Sequence, residues 1–201
     1  MIDDKKHSHE DDDDEFEDEL PARCKIFKKS LGTQYDVYLS DSIQHGEAHY
    51  LPILRLCEDA KPGDVIFFHL ANVGGSCHTG FRLAALMRNT QAETYAIVEA
   101  PCYSMGAFLA LAPKHLAFHR GTFLMFHNFS SINSGKGHEL ALAIGEFEKH
   151  FKFQTDDICS PFLTTKEIQQ LHADRDVYVH AEDKDLLKRL KRHEASRNKG
   201  G

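Results

Sequence analysis

Six consecutive residues, Val65-Ile-Phe-Phe-His-Leu70, are apolar apart from one histidine. A run of this kind suits a strand covered on both faces, as the strands of parallel sheets are. The turn Lys61-Pro-Gly-Asp64 leads into it, and Gly74-Gly75 follows it, opening a helix that reads through about Asn89. The same succession recurs along the chain. Residues 36–40 read as a strand, and 44–59 as a helix in which Pro52 introduces a kink or marks the true start. Residues 94–98 read as a third strand, 105–112 as a short apolar helix, and 116–118 and 123–126 as two short strands. Helices are expected over about 138–157, after the capping box formed by Thr164 and Glu167, and over about 181–193. Strand and helix in alternation argue for an α/β fold around a mainly parallel sheet.

Charge divides the chain unevenly. Residues 1–20 hold 11 acidic side chains against two lysines, a balance of −9, whereas the whole chain carries −7. The acidic run cannot bury enough apolar surface to offset its ordering entropy, so residues 1–33 read as a disordered tail and connector. Residues 34–193 then form the folded domain and 194–201 a flexible tail. The basic helix with Lys188, Arg189, Lys191 and Arg192 reads as a solvated face. A nearly neutral body gives no support to nucleic-acid binding. No apolar run approaches the roughly 18–20 residues of a membrane span, and the acidic N-terminus lacks the pattern of a signal peptide. The expected location is the cytoplasm of a bacterial or phage-infected cell. Five scattered cysteines, with no Cys-x-x-Cys pair, read as free thiols of a reducing compartment. His45/His49 and His115/His119 have an i, i+4 spacing that suits zinc on a helix, but no third ligand accompanies either pair, so neither a metal nor a cofactor is expected.

Two strand-to-helix junctions carry the chemistry. In the first, a strand turns tightly and Ser104 stands where a helix begins. This setting exposes a hydroxyl and directs unpaired backbone N–H groups towards whatever the serine attacks. A serine at a helix start also serves as a simple cap. In the second, Gly74-Gly75 could present an N–H to the same edge of the sheet as an oxyanion donor, or serve only as a tight turn. A phosphate cradle is a weaker reading, because the P-loop lysine and the Gly-x-Gly-x-x-Gly spacing are both missing.

Four blocks in order resemble the signature of the Clp protease proteolytic-subunit (ClpP) family. They are Gly74-Gly75, Tyr103-Ser-Met-Gly-Ala-Phe-Leu109, Phe123-Leu-Met-Phe-His127 and Ala173-Asp-Arg-Asp176. The resemblance implies a ClpP/crotonase-like spiral of ββα units with a handle made of the loop 130–137 and the helix after it. It implies a serine endopeptidase with Ser104 as nucleophile, His127 as base and Asp176 as its orienting acid, and with the backbone N–H groups of Gly75 and Met105 as the oxyanion hole. It also implies a polypeptide substrate, a homo-oligomer of heptameric rings paired into a tetradecamer, and an AAA+ unfoldase partner of the ClpX or ClpA kind. Against the family pattern, Asn72-Val73-Gly74-Gly75 stands where the family has Ser-Pro-Gly-Gly, Tyr103 replaces a small residue, and Asn128-Phe129 replaces Gln-Pro after the histidine. The usual C-terminal strand is missing and the N-terminus differs, which fits a divergent member such as a phage head-maturation protease. The alternatives are a crotonase-fold acyl-CoA enzyme and a ring-forming scaffold without activity.

Overall fold

The structure, a computed structural model, describes residues 32–130 and 136–197. The acidic tail expected over residues 1–33 lies almost wholly outside them, as does Cys24. Strands β1 (Gln34–Leu39), β2 (Val65–Leu70), β3 (Glu93–Val98) and β5 (His115–Phe118) form one parallel sheet in the order β1-β2-β3-β5. The α/β expectation therefore holds. In β2 the burial alternates: Ile66, Phe68 and Leu70 are fully buried, whereas Val65, Phe67 and His69 are only partly so. The expectation of a strand covered on both faces is thus corrected within this single chain. The second face is tiled by its own side chains instead. Phe67 stacks on Tyr95 at 4.9 Å, Tyr95 on His115 at 4.4 Å and Tyr38 on His69 at 4.5 Å. His69 also bridges Asp36 (3.1 Å) and Glu99 (2.7 Å).

Helices α1 (Leu51–Asp59), α2 (Cys77–Asn89) and α3 (Met105–Ala110) cover the buried side. Pro52 sits in the first turn of α1 and marks its start, where a missing N–H costs nothing. Ser76 caps α2 by accepting the Thr79 N–H. All six residues of α3 are buried, and its Phe108 ring meets Phe81, Phe126 and Phe151 edge-on at 5.6–6.1 Å. The long helix α4 (Gly137–Cys159) buries Phe151, Ile158 and Cys159 in its second half and leaves Leu142 and Ile144 exposed in its first.

A second sheet of three strands lies beside this core: β4 (Cys102–Tyr103), β6 (Phe123–Phe126) and β7 (Val177–His180). Strand β4 runs parallel to β6, and β7 antiparallel to it. Neither β4 nor β7 was legible as a strand; one has two residues, and the other alternates over only four.

Helix α5 (Thr165–His172) begins with both halves of the capping box, Thr164 Oγ1 accepting from the Glu167 N–H and Glu167 Oε2 accepting from the Thr164 N–H. Helix α6 (Leu186–Arg197) overturns two expectations. It continues beyond residue 193, and it is not simply a solvated basic face, since Arg189 and His193 are buried. Arg189 pairs with Glu167 at 2.8–2.9 Å. Arg197 donates to the carbonyls of Leu111 and Ile158, at the C-terminal ends of α3 and α4, where helices leave oxygens unpaired.

Candidate active site

Strand β4 ends by delivering Ser104 into a sharp turn. The Tyr103 N–H donates to Asn72 O at 2.9 Å and the Ser104 N–H to Met125 O at 2.8 Å, so the backbone entering the turn is held by the loop after β2 on one side and by β6 on the other. Ser104 itself takes φ 53° and ψ −128°, a conformation that costs a non-glycine residue about 1–3 kcal/mol. It occupies the cap position of α3, yet its side chain makes no capping hydrogen bond. The plain capping role open to this serine is therefore not taken up, and its hydroxyl is left for other work.

The ladders of the second sheet bring two further residues to the same end. Tyr103 is paired with Met125, and Phe126 with Val177. One step beyond the last pair, His127 leaves β6 opposite Asp176, which enters β7. Ser104, His127 and Asp176 thus come from three adjacent chain segments at one edge of the sheet. His127 is half-buried and Asp176 exposed. Among the described residues no side-chain hydrogen bond joins Ser104 to His127 or His127 to Asp176. The segments carrying the last two are tied by Asn128, which donates through Nδ2 to Asp174 Oδ1 and accepts the Phe129 N–H at 2.9 Å. Asp174, at φ 55°, makes the turn that precedes Asp176. Phe129, in place of proline, anchors the other side by packing on Phe147 and Phe151.

The glycine pair abuts the serine. Gly74 has φ +93°, and a Cβ on it would lie 2.6 Å from Ser104 Cβ, so no other residue fits without moving the turn. Its carbonyl accepts the Ile43 N–H at 2.6 Å, while Ile43 O accepts the Ser76 N–H at 2.8 Å. The N–H of Gly74 is taken by Asn72 Oδ1 at 2.8 Å. Neither the Gly75 N–H, at φ +134°, nor the Met105 N–H has a backbone partner among the described residues.

The Clp protease family profile matches residues 20–185, over four-fifths of the chain. The chain belongs to the Clp protease family. Among curated proteins none matches it. The family match spans the α/β core, both glycines and all three of Ser104, His127 and Asp176, and ends just before α6. It supports a ClpP-like peptidase domain.

The remaining expectations resolve individually. Tyr103 turns its ring onto Phe123 (5.3 Å, 83°), which in turn meets His180 and Tyr178 on the open face of the second sheet. Both ring nitrogens of His115 are engaged by carboxylates, Glu93 and Glu194. Cys57, Cys77, Cys102 and Cys159 are free thiols, and burial pushes all four above the usual thiol range. No described helix is long and apolar enough to cross a membrane. Sequence reasoning marked Asn72 and Asn128 only as departures from the family pattern and gave neither a role.

Proposed function

We propose that this chain is a serine endopeptidase acting on polypeptides, with Ser104, His127 and Asp176 as its triad. Ser104 Oγ attacks the scissile carbonyl while His127 takes its proton. The amine then leaves with that proton, and water repeats the sequence on the acyl-enzyme. Asp176 orients the imidazole and stabilises its charged form. The N–H groups of Gly75 and Met105 hold the oxyanion, and each such donor contributes about 2.7–4 kcal/mol to transition-state binding. The observation that supports this reading is the β4-β6-β7 ladder, at one end of which His127 and Asp176 follow and precede the last pair and Ser104 stands uncapped at positive φ. The chain works as a homo-oligomer of heptameric rings, paired into a tetradecamer, that encloses the site. An AAA+ unfoldase supplies unfolded chains in an ATP-dependent manner.

A second reading, a ring subunit without activity, is favoured by the missing hydrogen bonds within the triad. Catalytic hydrogen bonds often tighten only when substrate is bound, so the decisive test is chemical. A fluorophosphonate probe is expected to label the chain at Ser104 and to leave Ser104→Ala unlabelled. A ring that resists the probe would support the scaffold reading, and a stable monomer by light scattering would sink the compartment.

A further inference from the structure

Asn72 is fully buried in a segment that otherwise reads as a loop. Buried amides are retained where every polar atom has a partner, and those of Asn72 have unusual ones. Its Nδ2 donates to the carbonyls of Leu39 and Asp41, at the end of β1 and just beyond it. Its Oδ1 accepts the Gly74 N–H at 2.8 Å, and its backbone carbonyl accepts the Tyr103 N–H at 2.9 Å. Gly106 closes on it from the other side, since a Cβ there would lie 2.5 Å from Asn72 O. One residue therefore bonds the end of β1, the glycine loop and Tyr103 before Ser104, and packs against Gly106 after it.

We propose that Asn72 is the positioning residue that sets the oxyanion donors against the nucleophile. By occupying the Gly74 N–H it removes that group from competition and turns the next peptide so that the Gly75 N–H stays free. Through Tyr103 and Gly106 it fixes the turn that holds Ser104 and the Met105 N–H. This rests on the serine-peptidase reading above. Asn72 touches neither substrate nor reacting atoms. Its action is geometric, and a displacement of about 1 Å at such a site can cost 10²-fold in rate.

The test compares the full-length chain with Asn72→Ala and Asn72→Asp, the second of which keeps an acceptor for Gly74 but loses the donors to Leu39 and Asp41. With a peptide substrate, kcat is expected to fall about 10²-fold with KM changed less than about threefold, the pattern of a lost transition-state interaction. Affinity for a peptide boronate, which forms a tetrahedral adduct at the serine, should fall in step with kcat. Variants that melt earlier but keep wild-type kcat and boronate affinity would overturn the proposal and leave Asn72 a packing residue. Should both variants fail to fold, amide exchange in the unsubstituted chain decides. The Gly74 N–H should be protected throughout, and the Gly75 N–H only in the phosphonate adduct; rapid exchange at Gly74 overturns the tether. An unsubstituted chain that no fluorophosphonate labels would sink the peptidase reading and this inference with it. A labelled wild type with unimpaired variants would sink this inference alone.

Discussion

Ser104 and Gly74 form a mutually dependent pair. The serine holds its positive φ because the bonds from Tyr103 to Asn72 and from Ser104 to Met125 pin the backbone entering the turn, and that turn leaves room only for a hydrogen on the neighbouring Cα. Gly74→Ala would bring a methyl carbon to 2.6 Å from Ser104 Cβ and 2.8 Å from Tyr103 O. We expect a drop in kcat of at least about 10²-fold, together with a stability loss of about 1–3 kcal/mol from the left-handed backbone. Gly121→Ala is the control, since Gly121 also has positive φ but open space around it. It should lose stability alone, measured by urea unfolding, and equal activity losses in the two variants would refute the contact argument. At this scale the sequence was informative where chemistry and local pattern coincide. Ser104 stood out because a strand, a turn and a helix meet there within a few residues. Asn72 and Asn128 did not, because their partners Leu39, Asp41 and Asp174 are 31 to 46 residues away and no local pattern signals them.

Elements were legible in proportion to length and apolar continuity. Strand β2 was read to the residue, and the cap of α5 was found from Thr164 and Glu167 alone, because both are local patterns. Strand β7 was not, although it places Asp176, because Val177 and Val179 give only two inward residues. Helix α6 was misread because a row of Lys and Arg looks solvated whether or not one guanidinium is buried. The consequence is measurable at the α5–α6 contact. Arg189→Met would leave Glu167 without its guanidinium, and we expect about 2 kcal/mol of destabilisation. Thr164→Ala removes the cap for about 1 kcal/mol. Because Glu167 serves both partners, the double variant should depart from additivity. A sum within about 0.3 kcal/mol would show that the cap and the ion pair act independently.

At the scale of the whole molecule these contacts set the response to pH. Burial, with Arg197 beside it, pushes His193 down to about 4. Its Nε2 donates to Pro113 O at 2.9 Å, while Nδ1 is buried with no acceptor for a second proton. The unfolded chain takes up that proton near 6.5 and the folded chain only near 4. The cost of burying this histidine is therefore absent above about pH 6.5 and grows as pH falls to about 4, up to about 3 kcal/mol. Glu167 acts in a lower window. Burial would raise it, but Arg189 and the Thr164 N–H hold it at about 2, so its contribution is full above about 4.5 and lost as pH falls towards 2. His69 has the opposite sign. Burial would lower it, but Glu99 and Asp36 raise it overall, so it stabilises the fold most below its ordinary pKa and less as pH rises through the raised one. The decisive variant is His193→Gln, whose amide can still donate to Pro113 O. Between pH 6.5 and 4 its unfolding free energy should decline less steeply than the wild type's, by up to about 1.4 kcal/mol per pH unit. Above pH 7 the two slopes should agree. An unchanged acid slope would mean that another group, not the buried histidine of α6, governs unfolding in that range.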